Sequence, residues 1–204
     1  MNAEQIKAIK DFFKNEPEMV KYYLSETFEQ EASRIDKHWE DILKELAKRN
    51  KCLRMVIFAE APLSFDKYFY NKPAGFLSGL KAYYSQTLNV YFDNGNFIDF
   101  LNNRGVVVVD MYRYPFPSAF YKRYHNLFFD PIYLDDKIQK LMPKLCTESK
   151  FTFRYKMLEK RNLQNTAPFV NHQHRFIRVG NVIQTIFSQE RPRQIVNQHV
   201  APYL

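Results

Sequence analysis

The sequence predicts an α/β fold: a three-layer α/β/α sandwich around a central, mostly parallel four-stranded sheet, preceded by a helical N-terminal extension. Three observations predict it. Two apolar runs, residues 55–59 (Met-Val-Ile-Phe-Ala) and 106–109 (four valines), contain no polar residue. Such runs mark strands buried on both faces, as in parallel sheets. Each run stops at a carboxylate, Glu60 or Asp110. Segments of helical periodicity alternate with the runs, which is the order of βα units.

The elements follow in chain order. In residues 3–50, Ile6, Ile9, Phe12 and Phe13 recur at helical spacing, as do Ile35, Trp39, Ile42, Leu43 and Leu46. Glu16-Pro17 interrupts the first helix. Ser33-x-x-Asp36 reads as the N-cap of the last. The first strand is placed at 53–59. A helix over 76–86 puts Phe76, Leu80 and Tyr83 on one face, and Asn94-Gly95 is a turn signal. A short helix at 97–102 leads through Arg104-Gly105 to the second strand. Residues 112–131, rich in aromatics and prolines, read as a long loop, a common place for function. A helix over 135–145 turns Ile138, Leu141 and Leu145 inward. Residues 151–155 fit either a strand or a helix start. A third apolar run at 176–179 is stopped by Gly180-Asn181, a helix is expected at 182–187, and Ile195-Val196 is a fourth, short run. No repeat or low-complexity linker divides the chain, so one α/β domain is expected, with 1–50 as the extension and 51–204 as the core.

Composition narrows the function. Of 204 residues, 46% are hydrophobic and 25% charged, the balance of a globular domain. With 5 Gly there is little material for a phosphate loop, and neither GxGxxG nor GxxxxGK[ST] occurs. No cofactor is expected. Two cysteines, Cys52 and Cys146, cannot make a four-cysteine zinc or iron–sulfur site; they fit one disulfide or two reduced thiols equally well. His172-Gln-His174 has no carboxylate or cysteine beside it, so no metal site is expected. No apolar signal core follows Met1, and no run approaches the ~18 apolar residues of a membrane span. The expected location is cytoplasmic or nuclear, without a membrane partner. The net charge of +8 suits a polyanionic partner or simple solubility. Tyr112, Arg113, Tyr114, Tyr121, Lys122, Arg123, Tyr124 and His125 interleave rings with cations, the mixture that contacts unpaired nucleic acid. Arg154, Lys156, Lys160, Arg161, His174, Arg175 and Arg178 extend this basic character.

The strand ends also carry a resemblance. Ala59-Glu60-Ala61-Pro62 closes the first strand, with Phe69 and Tyr70 shortly downstream. Asp110-Met-Tyr-Arg113-Tyr-Pro115 closes the second, Arg178-Val-Gly180-Asn181 the third, and His199-Val-Ala-Pro202 the fourth. From about residue 53 onward this pattern resembles the uracil-DNA glycosylase-like superfamily. There, a strand ends in Gly-Glu-Ala-Pro-Gly, an aromatic stacks on the extruded base, a second strand ends in Asn, and a His-Pro-Ser motif closes the last. The resemblance implies DNA as partner and base excision as activity, hydrolysing an N-glycosidic bond through an oxocarbenium-like transition state. It assigns Glu60 to water positioning, Pro62 to the rigid turn, Phe69 or Tyr70 to base stacking, Asp110 to base reading and His199 to the departing base. Ala59 and Leu63 stand where the family has glycines, which crowds the approach to substrate. Asp110 in place of Asn lacks the amide donor. Val200-Ala201-Pro202 replaces Pro-Ser, and the sequence ends two residues later at Leu204.

Two other readings stand beside this one. A catalytically degenerate module of the same fold would bind nucleic acid or a nucleotide; a small-molecule α/β hydrolase would use Glu60 and Asp110. Each site residue also has a structural alternative. Glu60 fits a helix cap, Asp110 an acceptor for backbone amides, the aromatics core packing, and His199 an exposed terminal position.

Overall fold

The computed structural model describes residues 1–48, 52–71, 75–156, 158, 161, 163–187 and 196–204. The two apolar runs form adjacent strands, β1 (Leu53–Ala59) and β2 (Val106–Asp110), parallel and in register from Met55 opposite Val106 to Ala59 opposite Asp110. A third strand, β3 (Leu145–Phe153), lies parallel on the other side of β1, so the order is β2-β1-β3. Beyond β3, single parallel bridges join Phe151 to Phe176 and Phe153 to Thr185. Between those bridges the chain leaves the sheet as a hairpin of β4 (Arg178–Val179) and β5 (Val182–Ile183).

Successive side chains on a strand point to opposite faces, and both faces here are apolar. Val56, Phe58, Val107, Val109, Phe151 and Phe153 face one core. That core is built by α1 (Ala3–Phe12), α2 (Pro17–Tyr23) and α3 (Glu26–Lys48), together with α6 (Ser118–Phe128), α7 (Pro131–Leu141) and the short α8 (Ala167–Val170). Met55, Ile57, Ala59, Val106 and Val108 face the other core, formed by α4 (Gly75–Leu88), α5 (Asn94–Asn103) and the segment around Ile186, Val200 and Leu204. Helices on both sides explain why the strands read as unbroken apolar runs. Thus α4 and α5 carry the chain from β1 to β2 over one face, and α6 and α7 carry it from β2 to β3 over the other.

The N-terminal helices are part of the main core. Ile9, Phe13, Tyr23, Phe28, Ile35, Trp39, Leu43 and Leu46 are all buried in it. Trp39 also donates its indole N–H to the carbonyl of Val108 on the outer edge of β2 (3.1 Å).

Several elements differ from the sequence expectation. Ser33 and Asp36 lie inside α3; the Ser33 hydroxyl donates to the Glu29 carbonyl one turn back, as serine does inside a helix. Asn94-Gly95 opens α5 because Asp93 caps it, accepting from the Asn96 N–H (2.8 Å). The expected loop over 112–131 contains α6, whose Phe120, Tyr121 and Phe128 are buried at helical spacing. Residues 182–187 are extended, because Gly180 at φ 56° turns the chain into the hairpin. Of the fourth run, Ile195 lies outside the described residues, and Val196 forms an antiparallel bridge with Phe187.

The amino edge of the sheet is closely tied. Gly105, at φ 74°, accepts the N–H groups of Arg54 (2.8 Å) and Met55 (3.1 Å). A β-carbon there would stand 2.5 Å from the Cys52 carbonyl oxygen, so only glycine fits. β3 begins with a bulge: Leu53 pairs with Leu145 but Met55 with Lys150. The buried Ser149 hydroxyl fills it, reaching the carbonyls of Leu53 (2.5 Å) and Cys146 (2.7 Å). Cys52 and Cys146 are joined across β1 and β3, with Cα atoms 5.3 Å apart.

Candidate functional site at the carboxyl ends of the strands

The chain crosses from β1 to β2 over one face and from β2 to β3 over the other, so connections leave β1 and β3 in opposite directions. In open α/β sheets a crevice forms outside the carboxyl ends of the strands at such a point. Glu60 follows β1, Asp110 ends β2 and Arg154 follows β3. The strand ladder continues past its formal ends and fixes these positions. Met111 donates to the Ala59 carbonyl (3.0 Å), Tyr112 to the Glu60 carbonyl (2.9 Å) and Arg154 to the Phe58 carbonyl (2.9 Å).

The Glu60 carboxylate lies 2.7 Å from the Arg161 guanidinium, with side-chain exposures of 16% and 7%, so the pair is largely shielded from water. Arg161 also donates to the Tyr112 hydroxyl at 3.4 Å and lies over its ring. Tyr112 and Tyr121 are fully buried behind this pair, in tilted contact with centroids 4.7 Å apart. The Tyr121 hydroxyl donates to the Tyr114 carbonyl (2.5 Å).

The Asp110 carboxyl is pushed up to about 6. Burial is the main cause, Lys137 and Arg154 pull it back down, and Asp36 adds to the rise. A carboxyl titrating near neutral pH can give or take a proton under physiological conditions. Burial likewise lowers the pKa of Arg154, which stacks on Tyr155 with its guanidinium carbon 4.4 Å from the ring centroid.

A second polar network adjoins the first on the α3 and α7 side. Lys137, 5% exposed, pairs with Asp36 (3.0 Å) and lies over the rings of Trp39 and Tyr133. Tyr133 donates to Asp36 (2.6 Å). Arg113 bridges Glu29 (3.2 Å) and Asp36 (3.4 Å) and donates to the Ser33 hydroxyl (2.9 Å). Asp36, Trp39, Arg113, Tyr133 and Lys137 border a cavity of about 220 Å³.

The structure therefore brings Glu60 and Asp110 together on neighbouring strand ends and separates other expected residues from them. Pro62 is buried at the start of the tight turn through 64–67. Phe69 is 8% exposed and packs edge-on against Tyr70 in the core beneath α4 and α5. The Tyr70 hydroxyl accepts from the Val108 N–H (3.0 Å) on the edge of β2 and is held neutral by burial. Phe69 is thus enclosed in the core, whereas Tyr70 is half-buried and tied to β2 through its hydroxyl. Arg113 is engaged by two carboxylates of α3, Glu29 and Asp36. Lys122 and Arg123 are exposed on α6, the latter beside the Tyr124 ring.

His199 lies near the end of the chain. It is exposed, and its backbone N–H bonds to the Asn197 side chain (2.9 Å). Asn197 pairs with Ile186, and from there the chain descends to Leu204, whose carbonyl accepts from Arg104 at the amino edge (2.8 Å). His172 packs edge-on against Phe151. Among the described residues, no group of three or more His, Cys, Asp or Glu is placed to hold a metal. No helix among them is long and apolar enough to cross a membrane. Lys160 lies outside the described residues.

Sequence reasoning treated Arg154 and Arg161 as diffuse basic character. For Arg154 a signal was present: it ends an apolar stretch, Phe151-Thr-Phe153, as Glu60 and Asp110 end theirs. Arg161, Lys137 and Asp36 reach the site only through tertiary packing. Comparison with protein-family models, curated proteins and solved structures finds no match to this chain.

Proposed function

We propose that the chain is a divergent relative of the uracil-DNA glycosylase-like proteins that binds a nucleobase-bearing ligand, DNA in the first instance, at the carboxyl edge of its sheet. The observation that carries this reading is the meeting of Glu60, Asp110 and Arg154 on three neighbouring strand ends at a topological crossing point. In this reading the sheet is four-stranded within a three-layer sandwich, the segments at Phe176 and Thr185 supplying the fourth position. Carboxylates can accept from exocyclic amines and N–H edges of a base, and arginine can meet phosphate. The net charge of +8 favours a polyanion over a neutral metabolite.

Fluorescence anisotropy with single-stranded and mismatched duplex oligonucleotides tests this. Affinity should fall steeply with salt, and Arg154→Glu should weaken it about tenfold or more. Binding that ignores both salt and this substitution overturns the reading.

N-glycosidic hydrolysis is a second reading, favoured by Asp110 alone. A carboxyl raised to about 6 beside an ion-paired glutamate resembles the paired environments that divide acid and anionic roles. Base release from oligonucleotides carrying uracil, hypoxanthine or alkylated bases should then change near pH 6 and disappear in Asp110→Asn. Binding without release at any pH leaves a noncatalytic module.

A further inference from the structure

A cavity of about 450 Å³ opens at the amino edge of the sheet, far from the carboxyl-edge groups. It is lined by Arg54, Cys146, Glu148, Lys150, Pro202 and Tyr203. Cys146 is half-buried and belongs to the bridge with Cys52, which is itself exposed. The Cα separation of 5.3 Å is ordinary for a disulfide. Cys146 also sits in the bulge that opens β3. That bulge is held from inside by Ser149 and from outside by Arg175, whose guanidinium reaches the carbonyls of Cys146, Thr147 and Ser149 at 3.3 to 3.4 Å. Bulges re-aim side chains, and Cys146 on this one lines the recess. Two cations against one carboxylate give the recess a net positive wall, which attracts anions and favours thiolates.

We propose that this recess is a thiol–disulfide exchange site for a small anionic thiol, which opens the Cys52–Cys146 bridge by forming a mixed disulfide on Cys146. The incoming thiolate attacks Cys146 Sγ, forming a new S–S bond as the Sγ–Sγ bond to Cys52 breaks. The electron pair leaves on Cys52 Sγ, which is exposed and takes a proton from water. A second thiolate then attacks the sulfur of the bound thiol, releasing a small-molecule disulfide and the Cys146 thiolate. The bridge gains two electrons and two thiols become one disulfide. Arg54 and Lys150 select the charge of the thiol, and Tyr203 and Pro202 supply an apolar wall. The exchange loosens the covalent tie between β1 and β3 and stands independently of the ligand proposed above.

The oxidised full-length protein can be exposed to glutathione (anionic), 2-mercaptoethanol (neutral) and cysteamine (cationic), with adducts followed by intact mass and located by peptide mapping. Per thiolate, glutathione should react about tenfold faster than cysteamine at low salt, and the adduct should lie on Cys146. Lys150→Glu should abolish or invert that preference. Raising the salt to about 0.5 M should flatten it in the unaltered protein, a readout that needs no variant. Equal rates for the three thiols, an adduct on Cys52 or a bridge that does not exchange would each overturn the proposal.

Discussion

The two edges of the same sheet are built on different principles. The amino edge is held by backbone and covalent geometry: Gly105 in a left-handed conformation against Cys52, the bulge filled by Ser149, and a cross-strand sulfur bridge. The carboxyl edge is held by charge: Glu60 with Arg161, Asp110 near Lys137 and Arg154, and Asp36 with Lys137 and Arg113. Backbone geometry fixes strand register at no cost in titratable groups. Buried charge does the opposite, since desolvation makes each ion depend on its partner. The edge that carries the candidate site is therefore the pH-sensitive one.

The largest effect that would break this comparison is expected at Arg161. Arg161→Met leaves the Glu60 carboxylate shielded without its ion partner and should cost about 3–5 kcal/mol, read from urea unfolding. Adding Glu60→Gln should restore most of the loss. If the double variant is as unstable as the single, the edge is held by packing of the arginine stem instead of charge.

At the opposite edge, Gly105→Ala should cost about 3 kcal/mol, combining left-handed strain with displacement of the Cys52 carbonyl. The loss should be the same at pH 5 and pH 8, because no ionisable group takes part.

A smaller effect of opposite sign sharpens the contrast. The Asp110 carboxyl has a folded-state pKa of about 6, above its ordinary value of 3.8, so the folded protein binds more protons between those values. Stability contributed there is full at low pH and is lost as pH rises through 6. Asp110→Asn should therefore stabilise the protein above pH 6 by about 2 kcal/mol. Below about pH 4 the variant and the parent should unfold at the same urea concentration. A gain that persists at low pH would place its origin in packing.

The strands nearest the sheet's centre were the most legible parts of the sequence. β1 matches its expected bounds, and β2 extends the valine run by Asp110, because burial on both faces leaves no room for polar residues. β3 was legible only from Phe151, since Thr147, Glu148 and Lys150 lie at the rim where the bulge and the open recess let polar side chains reach solvent. α6 was hidden by the prolines just before it and by its tyrosines. Pro115 and Pro117 read as loop residues, yet Pro117 directly precedes the first helical turn, where a proline is tolerated. The Gly180 turn has local chemistry that was visible, but whether it ended a strand into a helix or into a hairpin was settled by what lies opposite. For the site, Glu60 and Asp110 were legible because strand ends can be read from one sequence. Arg161 and Lys137 were not, because their partners are remote in the chain.

The contacts of Trp39 and Tyr70 have a consequence for the molecule's life among its own copies. β2 is an outer strand of four consecutive valines, the composition that most readily recruits a strand from another chain. Its Val108 carbonyl takes the Trp39 indole N–H, and its Val108 N–H gives to the Tyr70 hydroxyl. Two aromatic side chains thus occupy one donor and one acceptor at the middle of this edge, where an added strand would otherwise pair.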